Sequence, residues 1–382
     1  MEKFQKVVDF IKEQYPAKDF ISLHEPVFMG NERKYVLDAI DSTFVSSVGA
    51  YVNLFEEMMA EITGAKYAIA IVNGTNALHL GLLLANVKTD DEVLSQALTF
   101  IATANAISYI GAKPVFIDVD KDTLGMSPTA LANFLEANAE LREEGSYNKK
   151  TGKRIAACVP MHTFGLPCKI DEIASICEKW KISLIEDAAE SLGSYYKGKH
   201  TGVYGKVGIF SFNGNKTVTC GGGGALITDD VALAKRAKHL TTQAKVPHKW
   251  EFVHDEIGYN YRMPNLNAAL ACAQLEQLAL FVENKRELAC KYIQFFKDLS
   301  FSFVQEPLNS KSNYWLNAIL LDNVVQREEF LAYTNDRGVM TRPVWELMNR
   351  LPMFKDCQAD ELTNSIWIAD RLVNIPSGYR PE

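Results

Sequence analysis

Paired cysteines of the CxxC type are absent from the sequence, although its 382 residues include seven cysteines. They are scattered along the chain at Cys158, Cys168, Cys177, Cys220, Cys272, Cys290 and Cys357. An odd number of widely spaced cysteines is typical of free thiols in a reducing compartment, and it excludes a disulfide framework or a zinc-finger type of metal site. We therefore expect a cytoplasmic protein with no structural metal. A catalytic cysteine has no support, because free cysteines are usually small core residues.

The sequence also lacks an apolar run long enough to cross a membrane. The longest such run, around Leu78–Val87, contains His79 and Asn86 and is typical of a buried helix. The N-terminal segment MEKFQKVVDFIKEQYP carries charges throughout the part that would be apolar in a signal peptide. We expect neither a membrane partner nor a secretory leader.

Positive charge is not in excess, since 40 Lys and Arg residues stand against 47 Asp and Glu residues, a formal net charge of −7. Binding to nucleic acid requires clustered basic residues, so this composition excludes a nucleic-acid partner. With 47% hydrophobic residues the chain can bury a large core, and its length fits two domains or one large domain with a smaller appendage.

Short β-rich runs alternate with helical patterns between about residues 65 and 230. The predicted strands are Ala68–Asn73, Lys113–Asp118, Arg154–Pro160, Lys181–Asp187, Val207–Phe212 and Ala225–Thr228. Between two of them, Ile170, Ile173 and Cys177 recur at the spacing of one apolar helical face. Such alternation indicates βαβ units, so the predicted fold class is α/β, with a mostly parallel sheet covered by helices.

The pattern changes after about Pro264, where residues 265–299 predict one long helix and shorter alternating runs such as Asn313–Asp322 follow. We predict a large α/β domain over residues 1–255, including an N-terminal helical segment 1–40, and a smaller C-terminal α+β domain over residues 256–382. The polar, glycine-containing segment Leu141–Arg154 is predicted to be a solvated loop.

Neither G-x-G-x-x-G nor a Walker A sequence occurs, which removes the usual signatures of dinucleotide and nucleoside-triphosphate binding. Instead, the segment NGTNALHL predicts a strand that turns at Gly74, Thr75 and Asn76 into a helix. Unpaired amides in the first turn of a helix favour an anion, and glycine lets a ligand approach the backbone. The segment is therefore a candidate phosphate site. When the segment is taken alone, an ordinary turn capped by Thr75 or Asn76 is the better explanation.

Asp187 lies at the end of a predicted buried strand in the segment IEDAAES. Ligands bind at this edge of open α/β sheets, and a carboxylate there must be paired or solvated. It could cap the following helix, or it could pair with a protonated ring nitrogen of a cofactor.

The third feature is SFNGNKTVTCGGGG, in which Ser211 ends a strand and Lys216 precedes the glycines Gly221–Gly224. Most lysines are solvated surface charges, but a lysine in a closed site can bind an aldehyde covalently and move protons. A phosphate site, a strand-end carboxylate and a lysine are together what pyridoxal 5′-phosphate (PLP) requires. Phe100 is a candidate to stack on the cofactor ring, or it is ordinary core packing.

At this point the sequence resembles the DegT-like nucleotide-sugar aminotransferases, which are fold-type-I (aspartate aminotransferase-like) PLP enzymes. The resemblance extends from about Ser42 to Tyr379 and rests on motifs in a fixed order: STFVSSVGAYVNLFEE, NGTNALHL, ALTFIATANAISYIGAKPVFIDVD, MHTFG, EDAAESLGS, SFNGNK, GYNYRMPNLNAAL and TRPVW.

The resemblance implies roles for individual residues. Lys216 would hold the cofactor and shuttle the proton, and Asp187 would pair with the pyridine nitrogen. Backbone amides of Thr75 and Asn76, beside Gly74, and the hydroxyl of Ser211 would bind the phosphate. The remaining implied cofactor contacts are Phe100 on the ring face, Glu190 beside the ring O3′, and His162 nearby.

The resemblance also implies a homodimer with shared active sites, in which Asn260 reaches the phosphate bound by the neighbouring subunit and Arg262 supports the same crossing. Arg342 and Trp345 are implied to contact the nucleotide sugar.

One departure from the common pattern concerns the glycines, because many members have G-E-G-G where this chain has Gly221–Gly224. The all-glycine form after SFNGNK is similar to the subgroup acting on UDP-linked 4-keto-6-deoxy-N-acetyl sugars, which leads to bacillosamine or legionaminic acid in bacterial polysaccharide biosynthesis. The implied reaction moves an amino group from L-glutamate to C4 of such a sugar.

Three alternatives remain. One is an aminotransferase of the same fold that places the amino group at C3 of the sugar. A PLP-dependent sugar dehydratase is another, although a histidine replaces the lysine in such relatives. The third is a non-catalytic sensor or scaffold.

Overall fold

The main sheet of the protein occupies the first two thirds of the chain. The structure is a computed structural model that describes residues 2–16, 18–297, 299 and 301–380. The strands that build this sheet are β1 (Tyr67–Ile71), β2 (Glu92–Gln96), β3 (Lys113–Ile117), β4 (Ala139–Arg142), β5 (Gly145–Asn148), β6 (Arg154–Val159), β7 (Ser183–Asp187), β10 (Val207–Ser211) and β11 (Gly224–Thr228). Two short strands, β8 (Tyr195–Tyr196) and β9 (Lys199–His200), lie between β7 and β10 in sequence and pair outside the sheet.

The strands run in the order β1-β11-β10-β7-β6-β2-β3. The five from β10 to β3 are parallel to their neighbours, whereas β11 pairs antiparallel with both β10 and β1. The predicted mixed, mostly parallel sheet is confirmed. Its parallel strands place their carboxyl ends at one edge, which is where such sheets bind ligands.

Helices cover both faces of the sheet, as predicted. Those of the first two thirds of the chain are α1 (Glu2–Gln14), α2 (Glu32–Asp41), α3 (Ala50–Thr63), α4 (Gly74–Leu84), α5 (Ile101–Tyr109), α6 (Pro128–Asn138), α7 (Ile170–Lys179) and α8 (Val231–Thr241). Successive residues of β1 point to opposite faces: Ile69 and Ile71 pack in the core with α4 and α8, and Ala68 and Ala70 in the core with α3.

The C-terminal third adds helices α9 (Asn265–Leu275), α10 (Leu278–Phe296), α11 (Val324–Asn335) and α12 (Thr363–Ala369), with strands β12 (Ser302–Phe303), β13 (Ser310–Lys311), β14 (Asn317–Leu320), β15 (Arg342–Pro343) and β16 (Leu372–Ile375). Four of these strands form a sheet in the order β12-β14-β16-β15. Within the described ranges, no helix combines the length and apolar character that a membrane span requires.

The N-terminal segment divides between two cores. Phe4 and Val8 of α1 pack with Tyr292 and Phe330 in the C-terminal core, whereas α2 packs against α9. The apolar face of α1 is therefore buried by C-terminal elements and not by the large sheet. The boundary between residues 255 and 256 stays a prediction, and the outer ends of the two predicted domains, residues 1, 381 and 382, lie outside the described residues.

Two local predictions were wrong. The predicted loop Leu141–Arg154 contains most of the antiparallel hairpin β4–β5, in which the Arg142 guanidinium lies 4.4 Å from the ring centre of Tyr147. The predicted long helix is two helices that meet at Glu276, whose carboxylate accepts hydrogen bonds from Asn31 and Tyr35. Both features depend on partners distant in sequence or across a hairpin, which apolar periodicity does not encode.

Strand β2 was not predicted, because its sequence EVLSQ mixes polar and apolar residues in a fully buried strand. Each polar side chain has a partner. The carboxylate of Glu92 accepts from Asn148 at 2.7 Å, Ser95 Oγ donates to the Val159 carbonyl at 3.0 Å, and Gln96 Nε2 donates to the Leu98 carbonyl at 2.8 Å. Burial of polar groups is tolerated here because they are hydrogen-bonded.

Candidate active site

A cavity of about 310 Å³ lies where β7 and β10 end and α4 begins. It brings together most of the residues that the sequence singled out for a cofactor, together with Trp345, which was singled out for the nucleotide sugar: Gly74, Thr75, Phe100, Asp187, Glu190, Ser211, Lys216 and Trp345. These residues come from segments up to 271 positions apart (345 − 74), so only the folded chain assembles them.

The start of α4 forms one wall of the cavity. Gly74 faces Ser211 so closely that a Cβ at Gly74 would lie 2.8 Å from the Ser211 Cβ, which explains why glycine occupies this position. Helix geometry leaves the first amides without partners inside the helix. The wall therefore offers amides at Gly74 and Thr75 together with two hydroxyls, from Thr75 and Ser211, which is a suitable set of donors for a phosphate.

The helix cap differs from both sequence expectations. Asn73 is the N-cap of α4, and its Oδ1 accepts the backbone N–H of Asn76 at 2.8 Å. Neither Thr75 nor Asn76 is the cap. Because the Asn76 amide is engaged in this way, the amides of Gly74 and Thr75 are the better placed donors for an anion.

Asp187 lies at the end of β7 and is 2% exposed. Its Oδ2 accepts a hydrogen bond from Thr103 Oγ1 at 2.7 Å, and its Oδ1 accepts one from the amide of Ala189 at 3.2 Å. Burial raises the pKa of Asp187, and these two hydrogen bonds together with the charge of Lys216 oppose that rise. The carboxylate is thus held in one orientation at the inner wall of the cavity.

Lys216 meets a second carboxylate, that of Glu190. Lys216 Nζ donates to Glu190 Oε1 at 3.2 Å, and the other oxygen, Oε2, accepts the amide of Phe164 at 2.8 Å. Burial raises the pKa of Glu190, an effect that the Lys216 charge opposes. The Lys216 amine is therefore held by the Glu190 carboxylate, which is itself held by the Phe164 amide.

The sequence did not single out Trp315, yet its ring centre lies 3.8 Å from Lys216 Nζ. Its indole Nε1 donates to the carbonyl of Asn215 at 2.7 Å, which ties it to the lysine loop. In sequence, Trp315 lies in an alternating run that indicated only a strand. No local signal distinguishes a tryptophan at a strand edge from one that supports a lysine a hundred residues earlier.

Phe100 and Trp345 form the outer wall of the cavity, with their ring centres 6.0 Å apart and their planes at 61°. Phe100 is 47% exposed, so one of its sides is free for a further contact.

His162 is not among the residues that line the cavity. The ring is completely buried: its Nε2 lies 3.1 Å from Glu186 Oε2, and its Nδ1 accepts the amide of Cys168 at 3.2 Å. Glu186 also accepts three backbone amides, from Gly202, Tyr204 and Gly205. Glu186 and Cys168 bind the ring within the single chain, and the cofactor contact of His162 stays a prediction.

Three other predicted residues also lie outside the cavity within one chain. Asn260 is exposed and bridges to Thr242, whereas Arg262 lines a separate cavity with Lys238. Arg342 is exposed on β15 and donates to Asn335 Oδ1 at 3.1 Å. The single chain does not bring these three residues to Lys216.

The side chains of this cavity suit pyridoxal phosphate, since they combine phosphate donors, a strand-end carboxylate and a lysine amine. Comparison with known proteins agrees. Residues 28–380 match the DegT/DnrJ/EryC1/StrS aminotransferase family.

The chain belongs to this family. As a member of it, the protein is a PLP-dependent sugar aminotransferase. EpsN of Bacillus subtilis (strain 168), named as a pyridoxal phosphate-dependent aminotransferase, is 39% identical over 363 residues, which are 94% of this chain and 91% of the relative. GDP-perosamine synthase of Escherichia coli O157:H7 is 38% identical over 340 residues, 88% of each chain.

Among solved structures of the family's fold, the aminotransferase TlmJ from Streptoalloteichus hindustanus superposes with a TM-score of 0.85 at 27% identity. The match covers 94% of this chain and 93% of that one. The fold-type-I architecture inferred from the motifs is thereby confirmed.

Proposed function

We propose that this family member transfers the amino group of L-glutamate to C4 of a nucleotide-linked 4-keto-6-deoxy sugar. The proposed acceptor is a UDP-linked N-acetylhexosamine, and the product a UDP-4-amino-4,6-dideoxy sugar for bacterial surface glycans of the legionaminic acid or bacillosamine type. The observation that carries the proposal is the convergence of Lys216, Asp187 and the start of α4 on one cavity. The free cysteines described in the structure support the predicted cytoplasmic location.

When bound, pyridoxal phosphate supplies an aldehyde that carries the amino group and a ring that withdraws electrons from the reacting carbon. In the proposal, Thr75, Ser211 and the amides of α4 bind the phosphate. Asp187, buried and oriented by Thr103, binds the ring nitrogen and favours its protonated form. Phe100 packs on the ring face.

Lys216 is the proposed proton carrier. Its Nζ takes a proton from the donor carbon and returns one on the other side of the reaction, as a general base and then a general acid. Glu190 positions that nitrogen through the contact of 3.2 Å, and the ring of Trp315 covers another side of Lys216 Nζ. Together with Trp345, Trp315 limits the access of water to the amine.

A homodimer with shared sites is part of the proposal. Its support is a set of exposed apolar side chains near Asn260: Trp250 at 73%, Phe252 at 81% and Ile257 at 83%. A second set flanks α2 and includes Phe28 and Phe44. Such patches on a single chain mark interaction surfaces. In a dimer, this loop of one subunit would bring Asn260 to the phosphate site of the partner's cavity, and Arg262 would support the same crossing.

Mixed dimers test the shared site. Chains carrying Lys216→Ala and chains carrying Asn260→Ala are each expected to be impaired alone. Because a mixed dimer contains one site with both native residues, mixing after partial unfolding should restore activity. No recovery, in dimers whose mixing is confirmed by native mass spectrometry, would argue against the crossing of Asn260.

GDP-linked sugars are a second candidate acceptor, favoured by the relative named GDP-perosamine synthase. The deciding experiment offers L-glutamate with UDP- and GDP-linked 4-keto-6-deoxy sugars and identifies each product by mass and NMR. A C4 amino sugar is expected, with UDP preferred. A deoxy sugar, or a C3 amino sugar formed only when the corresponding 3-keto sugars are offered as well, would replace the proposal by its alternatives on the same fold. Protein that remains colourless with added PLP would favour a sensor or scaffold.

A further inference from the structure

The four consecutive glycines after Lys216 do not have the same reason to be glycine. Gly221 has φ of +78°, a conformation that L side chains rarely adopt. A Cβ at Gly223 would lie 2.4 Å from the Cys220 sulfur, and one at Gly224 would lie 2.5 Å from the Asn73 carbonyl carbon. Backbone geometry and close packing therefore require glycine at these three positions.

Gly222 is different, because nothing in the fold requires glycine there. Its φ lies outside the left-handed region, and a Cβ built on it meets no atom of the described residues within 4 Å. The backbone is held in place, since the Gly222 carbonyl accepts a hydrogen bond from Asn267 Nδ2 at 3.1 Å. A side chain at this position would fit the loop without strain.

Gly222 also lines the cavity, so a side chain added there would stand at the cavity wall. The open space around a Cβ at this position is space in which a ligand can lie. Because the fold tolerates a side chain here, the reason for its absence is to be sought in what the cavity must hold.

We propose that Gly222 is a specificity-determining residue, and that the gap it leaves admits the acylamino substituent of the sugar. This inference rests on the proposed function and adds to it the part of the substrate that the site selects. An added side chain would exclude the bulkier substituent and tolerate a hydroxyl group at the same carbon.

The test uses the holoenzyme with Gly222→Ala, Gly222→Ser and Gly222→Val. Two acceptors share the same nucleotide: UDP-4-keto-6-deoxy-N-acetylglucosamine and UDP-4-keto-6-deoxyglucose, which differ only at C2. We expect each variant to lower kcat/KM for the N-acetyl sugar by about tenfold or more, increasing with side-chain size, since one methylene in a pocket is worth roughly 10–200-fold. The hydroxyl sugar should change by less than about threefold.

Calorimetry supplies a readout that is independent of turnover. The affinity of the holoenzyme for the UDP-4-amino-N-acetyl product should fall in the same order. Gly214→Ala is the matched control, because Gly214 lies in the same loop, a Cβ there also meets no atom within 4 Å, and the residue does not line the cavity. Melting temperature and cofactor absorbance confirm that each variant is folded and loaded.

The half-reaction with glutamate converts the cofactor without any sugar. It therefore distinguishes a failure of the role of Gly222 from a failure of the proposed function. Equal losses on both sugars, or no loss on either, in variants that complete this half-reaction would overturn the role of Gly222. Wild-type protein that completes the half-reaction but aminates neither sugar would overturn the proposed function and this inference with it.

Discussion

Two largely buried lysines in this molecule differ in their partners, and the difference separates the lysine proposed to react from a structural one. Lys216 keeps 13% of its side chain exposed to the cavity and is paired with the Glu190 carboxylate. Lys285 is 1% exposed and donates to the carbonyls of Trp315 at 3.2 Å and Ser377 at 2.6 Å. Among the residues described, no carboxylate lies within ion-pair distance of Lys285.

The two lysines lie on either side of Trp315, whose ring faces Lys216 and whose carbonyl accepts from Lys285. Burial lowers the pKa of Lys285 well below its ordinary value. Carbonyl partners fix the Lys285 amine beside a cavity of about 10 Å³, whereas Lys216 faces a cavity of about 310 Å³. Lys216 therefore differs from Lys285 in its access to the cavity and in its orienting carboxylate. We expect the Lys216 amine to react, whereas the Lys285 amine holds two segments together.

The largest expected effect is that of Lys216→Ala. We expect a loss of turnover by several orders of magnitude, because the covalent attachment and the proton carrier are removed together. Glutamate-dependent amination is the measurement, and a melting temperature close to the wild type shows that the fold survives. Lys285→Met is the matched control and should retain most of its turnover. Substantial turnover in Lys216→Ala would remove the functional difference between the two lysines.

Asp187→Asn is expected to have the next largest effect, a loss of at least about 100-fold in kcat, because a fixed charge opposite the ring nitrogen is lost. Thr103→Val gives a graded comparison, since it removes only the hydrogen bond of 2.7 Å that orients the carboxylate. Its loss should be smaller than that of Asp187→Asn. Equal losses would indicate that orientation, and not charge, is what Asp187 contributes.

Glu190→Gln should have a smaller effect, about tenfold or less, because an amide can still accept from Lys216 Nζ. The pH dependence is the sharper measurement. Burial raises the pKa of Glu190, so the carboxyl gains its proton as the pH falls through this raised value and the ion pair is then lost. The wild-type kcat/KM should fall on the acidic side for this reason. An unchanged acidic limb in Glu190→Gln would assign that limb to another group.

The last prediction concerns stability and not turnover, through the pH dependence of unfolding that Lys285 contributes. Its folded pKa is lowered, so between that value and its ordinary value the unfolded chain binds more protons, and the free energy of unfolding rises with pH. The slope from one such group is at most about 1.4 kcal/mol per pH unit. Denaturant titrations at several alkaline pH values should show this slope in the wild type and lose it in Lys285→Met. An identical slope in both proteins would mean that Lys285 keeps its ordinary pKa.

The sequence by itself determined the features that local patterns encode. Alternating strands and helices predicted the mostly parallel sheet, because periodicity reports which face of each element is buried. The order of the motifs fixed the family. Lys216 and Asp187 became candidates because a strand-end carboxylate and a lysine before glycines are visible within a few residues of sequence.

Only the tertiary structure decided which side chains share the cavity. In the folded chain, His162 binds Glu186, Trp315 lies beside Lys216, and α1 packs in the C-terminal core. Gly222 is the one glycine of its run whose missing side chain leaves open space in the cavity wall. The physical reason is that these arrangements depend on contacts between residues far apart in sequence, which the short-range patterns of a single chain do not record.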